Sequence, residues 1–524
     1  MIKTILKSNT FFTLFFFILF VPRALKAQCY KENTIKASVA QGGESLNRDK
    51  VLWLNWGGQG DVGYPYGKAG EPLSVGAVSR ASIPLGEGKY LCIEAEITEI
   101  QNTNGSEAKD RAIESYIPGT YVGNGDDSGD FLDILYNIGG ARTADNKPLN
   151  KMVSGIRNTN PGGGAIITIA CKAAIDGTPI RLPGMVVADA ESLAGSMDKK
   201  GEPQREYIYA EALGSWHVVE VQKNLNAGPY NIRKENGLNG KQTIKFLGGN
   251  DKKTGAVAFL AFNEQAYEKR SLSVSFKATL KGGGLTALAL GLLRPSIDLG
   301  DAPASYGSPI HLLQNLAFTN DHIASVSSSA TEKEKVEKTV DINTKDYEAG
   351  VLEMTKGSYL GSTPPDGDNG AMFSKDALGD DKSPVENPLL NEEDAWPEKY
   401  RRFSYKQYYM PGNTIEAKIP YKGAKKGSRV MGWIDFDLNG RFDDSERAVA
   451  VINGSGDGEV VLQWEVPVLR KPYSTYVRLR YFDVSEGEIS SPVDNVNFGE
   501  VEDHRIYILG PSLINPNIPS KTKR

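Results

Sequence analysis

The chain has 524 residues, with 60 Lys and Arg against 65 Asp and Glu, 56 Gly, 27 Pro, three Cys and four His. That length gives roughly two to four domains, each large enough for a core, and a hydrophobic fraction of 40% excludes a disordered chain. The acidic balance argues against a nucleic-acid partner, which calls for a basic field, and three Cys with His217, His311, His322 and His504 scattered along the chain exclude a Cys/His zinc site of normal spacing.

Residues 1–27 read as a secretory signal: Lys3 and Lys7 precede the apolar run FFTLFFFILFV (11–21), and Leu25-Lys26-Ala27 offers a cleavage site after Ala27. Its removal takes four basic residues, Lys3, Lys7, Arg23 and Lys26, leaving 56 basic against 65 acidic, net −9. The only other long apolar stretch, 285–293, has strand length, so the exported product is expected to be secreted or held at the cell surface and not membrane-spanning.

VLWLNWGGQG (51–60) alternates Leu52 and Leu54 against Val51, Trp53 and Asn55; Trp53, Asn55 and Trp56 are candidates to contact a sugar or other ligand, although Trp is also a core residue. Gly58, Gly60 and Gly63 fit a dinucleotide fingerprint, but Tyr64-Pro65 follows where a helix is required. Strand-like runs at 91–97 and 165–173 hold Cys92 and Cys171, which pair if the strands are neighbours and are otherwise buried thiols. GNGDDSGDFLD (123–133) gathers Asp126, Asp127, Asp130 and Asp133 among glycines, either an acidic loop or a site for a cation or sugar hydroxyls. SLSVSFKATLK places Leu272, Val274, Phe276, Ala278 and Leu280 on one face of a strand.

A polar, turn-rich stretch follows at 298–400, in which 366–394 holds nine acids against Lys375 and Lys382, a solvated linker or a set of further calcium ligands. Helical spacing is confined to 330–338 and 392–403. Strands return at 415–419, 460–466, 477–481 and 506–508, and residues 511–524 are expected to be a disordered tail.

One motif is chemically sharp. DFDLNGRFDDSE (435–446) matches D-x-[DN]-x-[DN]-G-x5-E at every specified place. Asp435, Asp437 and Asn439 would offer side-chain oxygens to Ca2+, Arg441 a backbone carbonyl, Asp443 a direct or water-mediated oxygen and Glu446 both of its own, while Gly440 permits the sharp turn. Its flanks, SRVMGWI (428–434) and AVAVI (448–452), read as strands, so a structural calcium loop between strands is expected.

Many strands, Gly-rich turns and few helices give an all-β chain of two β-sandwich domains. The expected division is 28–297 for a first sandwich, 298–400 for an acidic linker segment and 401–510 for a smaller second sandwich carrying the calcium loop.

GEVEDHRIYI (499–508), YVRLRYFD (476–483) and WIDFDLNGRFDDSE (433–446) resemble the GEVED domain of bacterial secreted and surface proteins, and DLGDAPASYG (298–307), YLGSTPPDGD (359–368) and ALGDD (377–381) resemble the segments that usually precede it. LWLNW (52–56), DFLDILYNIGG (130–140), MVSGIRN (152–158), LPGMVVADAES (182–192), REYIYA (205–210) and ALGLLRPSIDLGDAP (289–303) are similar to the second non-repetitive domain of CshA-type fibrillar adhesins. The resemblance implies a lectin-like β-sandwich and an adhesin that binds a host matrix glycoprotein or polysaccharide without catalysis, with surface assembly open to it. Within the GEVED pentapeptide, Glu500, Glu502 and Asp503 are expected to tie back to Arg478 or Arg480. Two other classes stay open: a structural envelope component without soluble ligand, and a carboxylate-based glycan hydrolase.

Overall fold

A computed structural model describes residues 37–508 except 41, 59–65, 87, 104–112, 119–130, 139–151, 160–161, 191–192, 251–253, 284–285, 314–315, 355–356, 366, 369, 380–391, 404–413 and 466–472. The expected signal segment and tail lie outside the described residues.

The first domain is built on period-two strands. Strand Val274–Lys281 alternates buried and outward residues, with Val274, Phe276, Ala278 and Leu280 inside. It pairs with Gly164–Ile175 on one side and with Tyr207–Gln222 on the other, and Gly164–Ile175 pairs in turn with Lys89–Asn102. The long strand Tyr207–Gln222 serves two sheets: its first half pairs with Lys241–Gly248, and from Gly214 onward it pairs with Gly255–Phe262. Gly214 sits at the switch, where a Cβ would lie 2.1 Å from the Ala261 carbonyl oxygen.

The second sheet also contains Val51–Trp53, Ala287–Leu293 and Gly184–Asp189. Between the sheets lies the main core, including Ile93, Ile97, Ile167, Ile169, Val187, Leu260 and Leu290. A second cluster covers the far face of the second sheet, with Val51, Trp53, Val186 and Phe259 packed beneath the short helix Phe131–Tyr136. Burial on both faces explains why Ala287–Leu293 is continuously apolar instead of alternating.

Cys92 and Cys171 do lie on neighbouring strands, yet Cys92 stands opposite Ala174 and Cys171 opposite Ala95. An offset of three residues puts the two side chains on opposite faces. Cys171 is a buried free thiol, whereas Cys92 is disulfide-bonded to a residue outside the described set.

The second domain stacks a five-stranded sheet on a three-stranded one. The larger has the order Arg402–Phe403, Gly499–Ile508, Tyr473–Phe482, Arg429–Ile434, Arg447–Val451; the smaller has Tyr359–Leu360, Thr414–Ala424, Gly456–Glu465. Ile415, Ile419, Leu462, Trp464, Val430, Leu479 and Ile506 fill the space between them. The outer face of the larger sheet is covered by Ala302 and Tyr306 over Trp433, Phe442 and Phe482.

Much of 298–400 is therefore folded onto the two domains. Val326–Ser327 and Val340–Asp341 extend the first domain's sheet beside Asn231–Asn236, and the buried Asp321 pairs with Lys234 at 2.7 Å. Among the described acids of this stretch, Asp298 accepts from the Val501 amide at 2.8 Å and Asp368 from the Leu299 amide at 2.7 Å, while Asp366, Asp380, Asp381 and Glu386 lie outside the described residues. Helix Glu332–Glu337 forms as its spacing predicts, started by a Thr331–Glu334 capping box. The helix expected over 392–403 does not form; only a single 3-10 turn, Glu398–Tyr400, follows Pro397, because Pro removes a donor and fixes the turn start.

The hairpin Ser296–Leu299 and Ile310–Leu313 joins the domains: Ile297, Leu299, Ile310 and Leu312 enter the first core, while His311 bridges to Val496. His311 is fully buried and accepts at Nε2 from Arg480 Nε at 2.9 Å. Burial, then the neighbouring Arg480, hold its pKa well below the ordinary 6.5. The unfolded chain thus takes up a proton at His311 that the folded chain refuses, so this group's contribution is intact above pH 6.5 and is lost as pH falls. Urea titrations across pH 5–7 are expected to show wild type losing stability towards low pH more steeply than His311→Gln, by up to about tenfold in the folding equilibrium per pH unit. Parallel profiles would overturn this.

Candidate calcium loop and ligand contacts

Strands Arg429–Ile434 and Arg447–Val451 pair antiparallel, and their connection is the twelve-residue loop 435–446. Asp435 is buried at the end of the first strand, and Glu446 is buried in the 3-10 turn Asp444–Glu446 that leads into the second. One carboxylate oxygen from each of Asp435, Asp437 and Glu446 lies within 4.8 Å of the others. The backbone wraps round them. Asp435 accepts from the amides of Leu438, Asn439 and Gly440 at 2.7, 3.2 and 3.1 Å, and Glu446 from those of Phe436 and Asp443 at 2.6 and 3.1 Å.

Asn439 joins the ring by donating from Nδ2 to Asp437 at 3.2 Å and to Asp443 at 2.6 Å, with its oxygen turned to the Arg441 amide. Gly440 adopts φ +77°, the left-handed turn that favours glycine. All six motif residues are thus gathered by one loop, with Asp437, Asn439 and Arg441 facing solvent.

Electrostatically the loop is primed for a cation. Burial pushes Glu446 up to about 7, with the nearby Asp435 adding to the effect, and burial also raises Asp435. Carboxylates that resist ionising side by side present the charge problem a divalent cation relieves. Tyr306, from the segment before the domain, donates to Asp435 Oδ2 at 2.5 Å, and its ring packs 4.7 Å from Phe442. No local pattern in the sequence marks Tyr306 as a partner of this loop; only the resemblance of DLGDAPASYG to a GEVED-preceding segment pointed there.

The GEVED strand divides its acids by face. Arg478 stands directly opposite Asp503 and grips it with two bonds, Nε to Oδ1 at 2.8 Å and Nη2 to Oδ2 at 2.7 Å. Glu500 and Glu502 do not reach either arginine. They point to the other face, where Glu500 accepts from the Leu360 amide and Glu502 from the Ala395 amide at 2.8 Å.

The expected ligand contacts fare differently. Trp53, Asn55 and Trp56 are all 0% exposed, so none offers a surface to a sugar; Trp53 and Trp56 sit in the two separate clusters on opposite faces of the second sheet. Helix Phe131–Tyr136 covers Trp53, with Tyr136 edge-on at 4.9 Å. Asp133 is half-buried on that helix. Asp126, Asp127 and Asp130 lie outside the described residues. A feature the sequence reading missed is a cleft of about 780 Å³ lined by residues of the connection 263–273 and its flanks, including Gln265, Lys269, Arg270, Ser271, Ser273 and Ser275. Its only signal was the polar, basic turn EQAYEKRS (264–271) between two strands.

Two all-β sandwiches, one with a loop that gathers three carboxylates, define the class by fold: a modular all-β protein. Comparison sharpens this. Residues 49–293 match the surface adhesin CshA non-repetitive domain 2, and residues 429–507 match the GEVED domain. The chain is thus similar to a CshA-type adhesin domain over 49–293 and to a GEVED domain over 429–507, matches that support a surface adhesin role. Among solved structures it is similar to the N-terminal domain of the Streptococcus gordonii adhesin Sgo0707, at 7% identity over 91% of this chain and 96% of that one, with a TM-score of 0.28. It is also similar to the PapD-like domain 7 of human CEP192, at 11% identity over 24% of this chain and 94% of that one, with a TM-score of 0.13. A search of curated proteins found no match. Among the described residues no helix is long and apolar enough to cross a membrane.

Proposed function

We propose that this chain is an exported or surface-held adhesin whose first domain binds a host matrix glycoprotein or polysaccharide, without turnover. The observation that carries the reading is the match of residues 49–293 to an adhesin domain. Ligand contact is assigned to the cleft at 263–275, where Lys269 and Arg270 stand with one acid, Glu268, an amide and several hydroxyls around one space, a chemistry suited to a polar ligand. The test is binding of the full chain to arrayed matrix proteins and glycans. Saturable binding that falls at least tenfold in Lys269→Ala/Arg270→Ala is expected. Binding untouched by that pair would overturn the assignment, and silence from a folded chain would favour the structural envelope component.

In the same reading the second domain is a calcium-stabilised stalk. The gathered carboxylates of 435–446 and their contact with Tyr306 support it, since a cation there would stiffen both the loop and the segment leading in from the first domain. With Ca2+ at about 1 mM and a dissociation constant near 0.1 mM, binding adds about 1.4 kcal/mol. Melting with Ca2+ and with chelator is expected to differ accordingly in wild type and not in Asp437→Ala, whose side chain is exposed and dispensable for packing. Equal midpoints in wild type would refute the stalk's calcium dependence.

A further inference from the structure

The face of strand Gly499–Ile508 opposite Arg478 holds a second convergence. Glu500, Glu502 and His504 alternate along that strand and are 1%, 1% and 4% exposed. Glu393, 3% exposed, is brought beside them by the irregular segment 392–396, which is clamped by the Ala395 amide on Glu502. His504 Nε2 lies 2.9 Å from Glu502 Oε2 and 3.8 Å from Glu393 Oε2, and one ligand atom from each of the three falls within 4.8 Å of the others. A further observation is independent of that triad: Glu500 Oε1, buried on the same face two residues before Glu502, accepts no hydrogen bond among the described residues.

We propose that Glu393, Glu502 and His504 form a buried site for one divalent transition metal of the zinc type, with Glu500 beside it. One cation can be held by all three of these atoms at the separations they already have. Two carboxylates and an imidazole match the mixed oxygen and nitrogen donor set of zinc or manganese better than the all-oxygen shell of calcium. Ligand atoms on a tetrahedral metal stand about 3.3 Å apart, inside the range the three side chains already span. The scarcity of Cys and His excludes only sites made of those residues; a one-imidazole site needs a partner such as Glu393, more than a hundred positions from Glu502, and so leaves no local motif. The site shares no ligand with the calcium loop.

The test uses the full chain refolded with ZnCl2, MnCl2 or CaCl2 and then freed of loose metal, read by metal analysis. About one equivalent of Zn2+ or Mn2+ is expected in wild type and in Asp437→Ala, with at least a tenfold loss of affinity in Glu393→Gln and His504→Gln. Co2+ loading is expected to give visible ligand-field bands and to quench Trp396, whose ring lies 6.4 Å from that of His504. Absence of stoichiometric metal in wild type, or equal retention by Glu393→Gln, overturns the proposal. If His504→Gln fails to fold, Glu393→Gln and the Co2+ spectrum decide.

Discussion

Replacing Arg478 by Ala is expected to cost about 3–5 kcal/mol and to melt the second domain well below the first. The guanidinium is 0% exposed, and each of its five N–H groups is used: two on Asp503, and three on the carbonyls of Tyr306, Gly307 and Pro492 at 3.2, 2.8 and 3.1 Å. Truncation leaves Asp503 charged, buried and held mainly by the Ala302 amide at 2.9 Å. It also orphans the carbonyls of Tyr306 and Gly307 in the segment that covers the sheet, and that of Pro492 in the connection 483–498. An uncompensated buried charge is among the few single-site changes of this size. Arg478→Lys is expected to rescue little, since a point ammonium cannot reproduce the fork. The control is Lys418→Ala, which removes an exposed pair with Glu459 at 3.6 Å and should change stability by less than about 1 kcal/mol. Chemical denaturation followed by a probe in the second domain reads both. An Arg478→Ala chain as stable as wild type would mean the pair does not hold the domain.

The same pair shows where the sequence is readable. Alternation in SLSVSFKATLK and EVVLQWEV marks strands because one face is buried and one is not, whereas YVRLRYF alternates apolar side chains with arginines although both of its faces are buried. The loop 435–446 is legible for a different reason: its acids fall within twelve residues, so spacing alone brings Asp435, Asp437 and Glu446 together. Glu500 and Asp503 look equivalent in GEVED, and only the pleat separates the acid that meets Arg478 from those that turn away. Contacts between distant segments are the least legible. Nothing local says that Tyr306 reaches Asp435, that Asp321 caps Lys234, or that 298–400 folds onto its neighbours; each depends on which faces the two sandwiches leave uncovered. Spacing also misleads in one place, since EEDAWPEKYRRF has helical spacing but is interrupted by Pro397, and the Ala395 amide bonds Glu502 instead of a helical carbonyl.

Trp53 is where binding and packing make opposite predictions. Were it a ligand contact, Trp53→Ala would leave stability nearly unchanged and abolish binding. The structure gives the reverse: its side chain is 0% exposed, lies on the face of the second sheet beneath helix Phe131–Tyr136, and meets Tyr136 edge-on at 4.9 Å. Gly291, its cross-strand neighbour, packs closely here, as a Cβ there would sit 2.9 Å from Val51 Cγ1 and in van der Waals contact with the indole at 3.5 Å. Truncation removes a large apolar body between a sheet and the helix that covers it, so about 3–5 kcal/mol is expected to be lost. Ligand binding should then fall only in proportion to the unfolded fraction and recover at lower temperature or with stabilising osmolyte. Trp53→Phe, which keeps a ring against Tyr136, should recover a substantial part of the stability. A Trp53→Ala chain with wild-type stability and no binding would return this residue to the ligand site and remove the cleft at 263–275 from it.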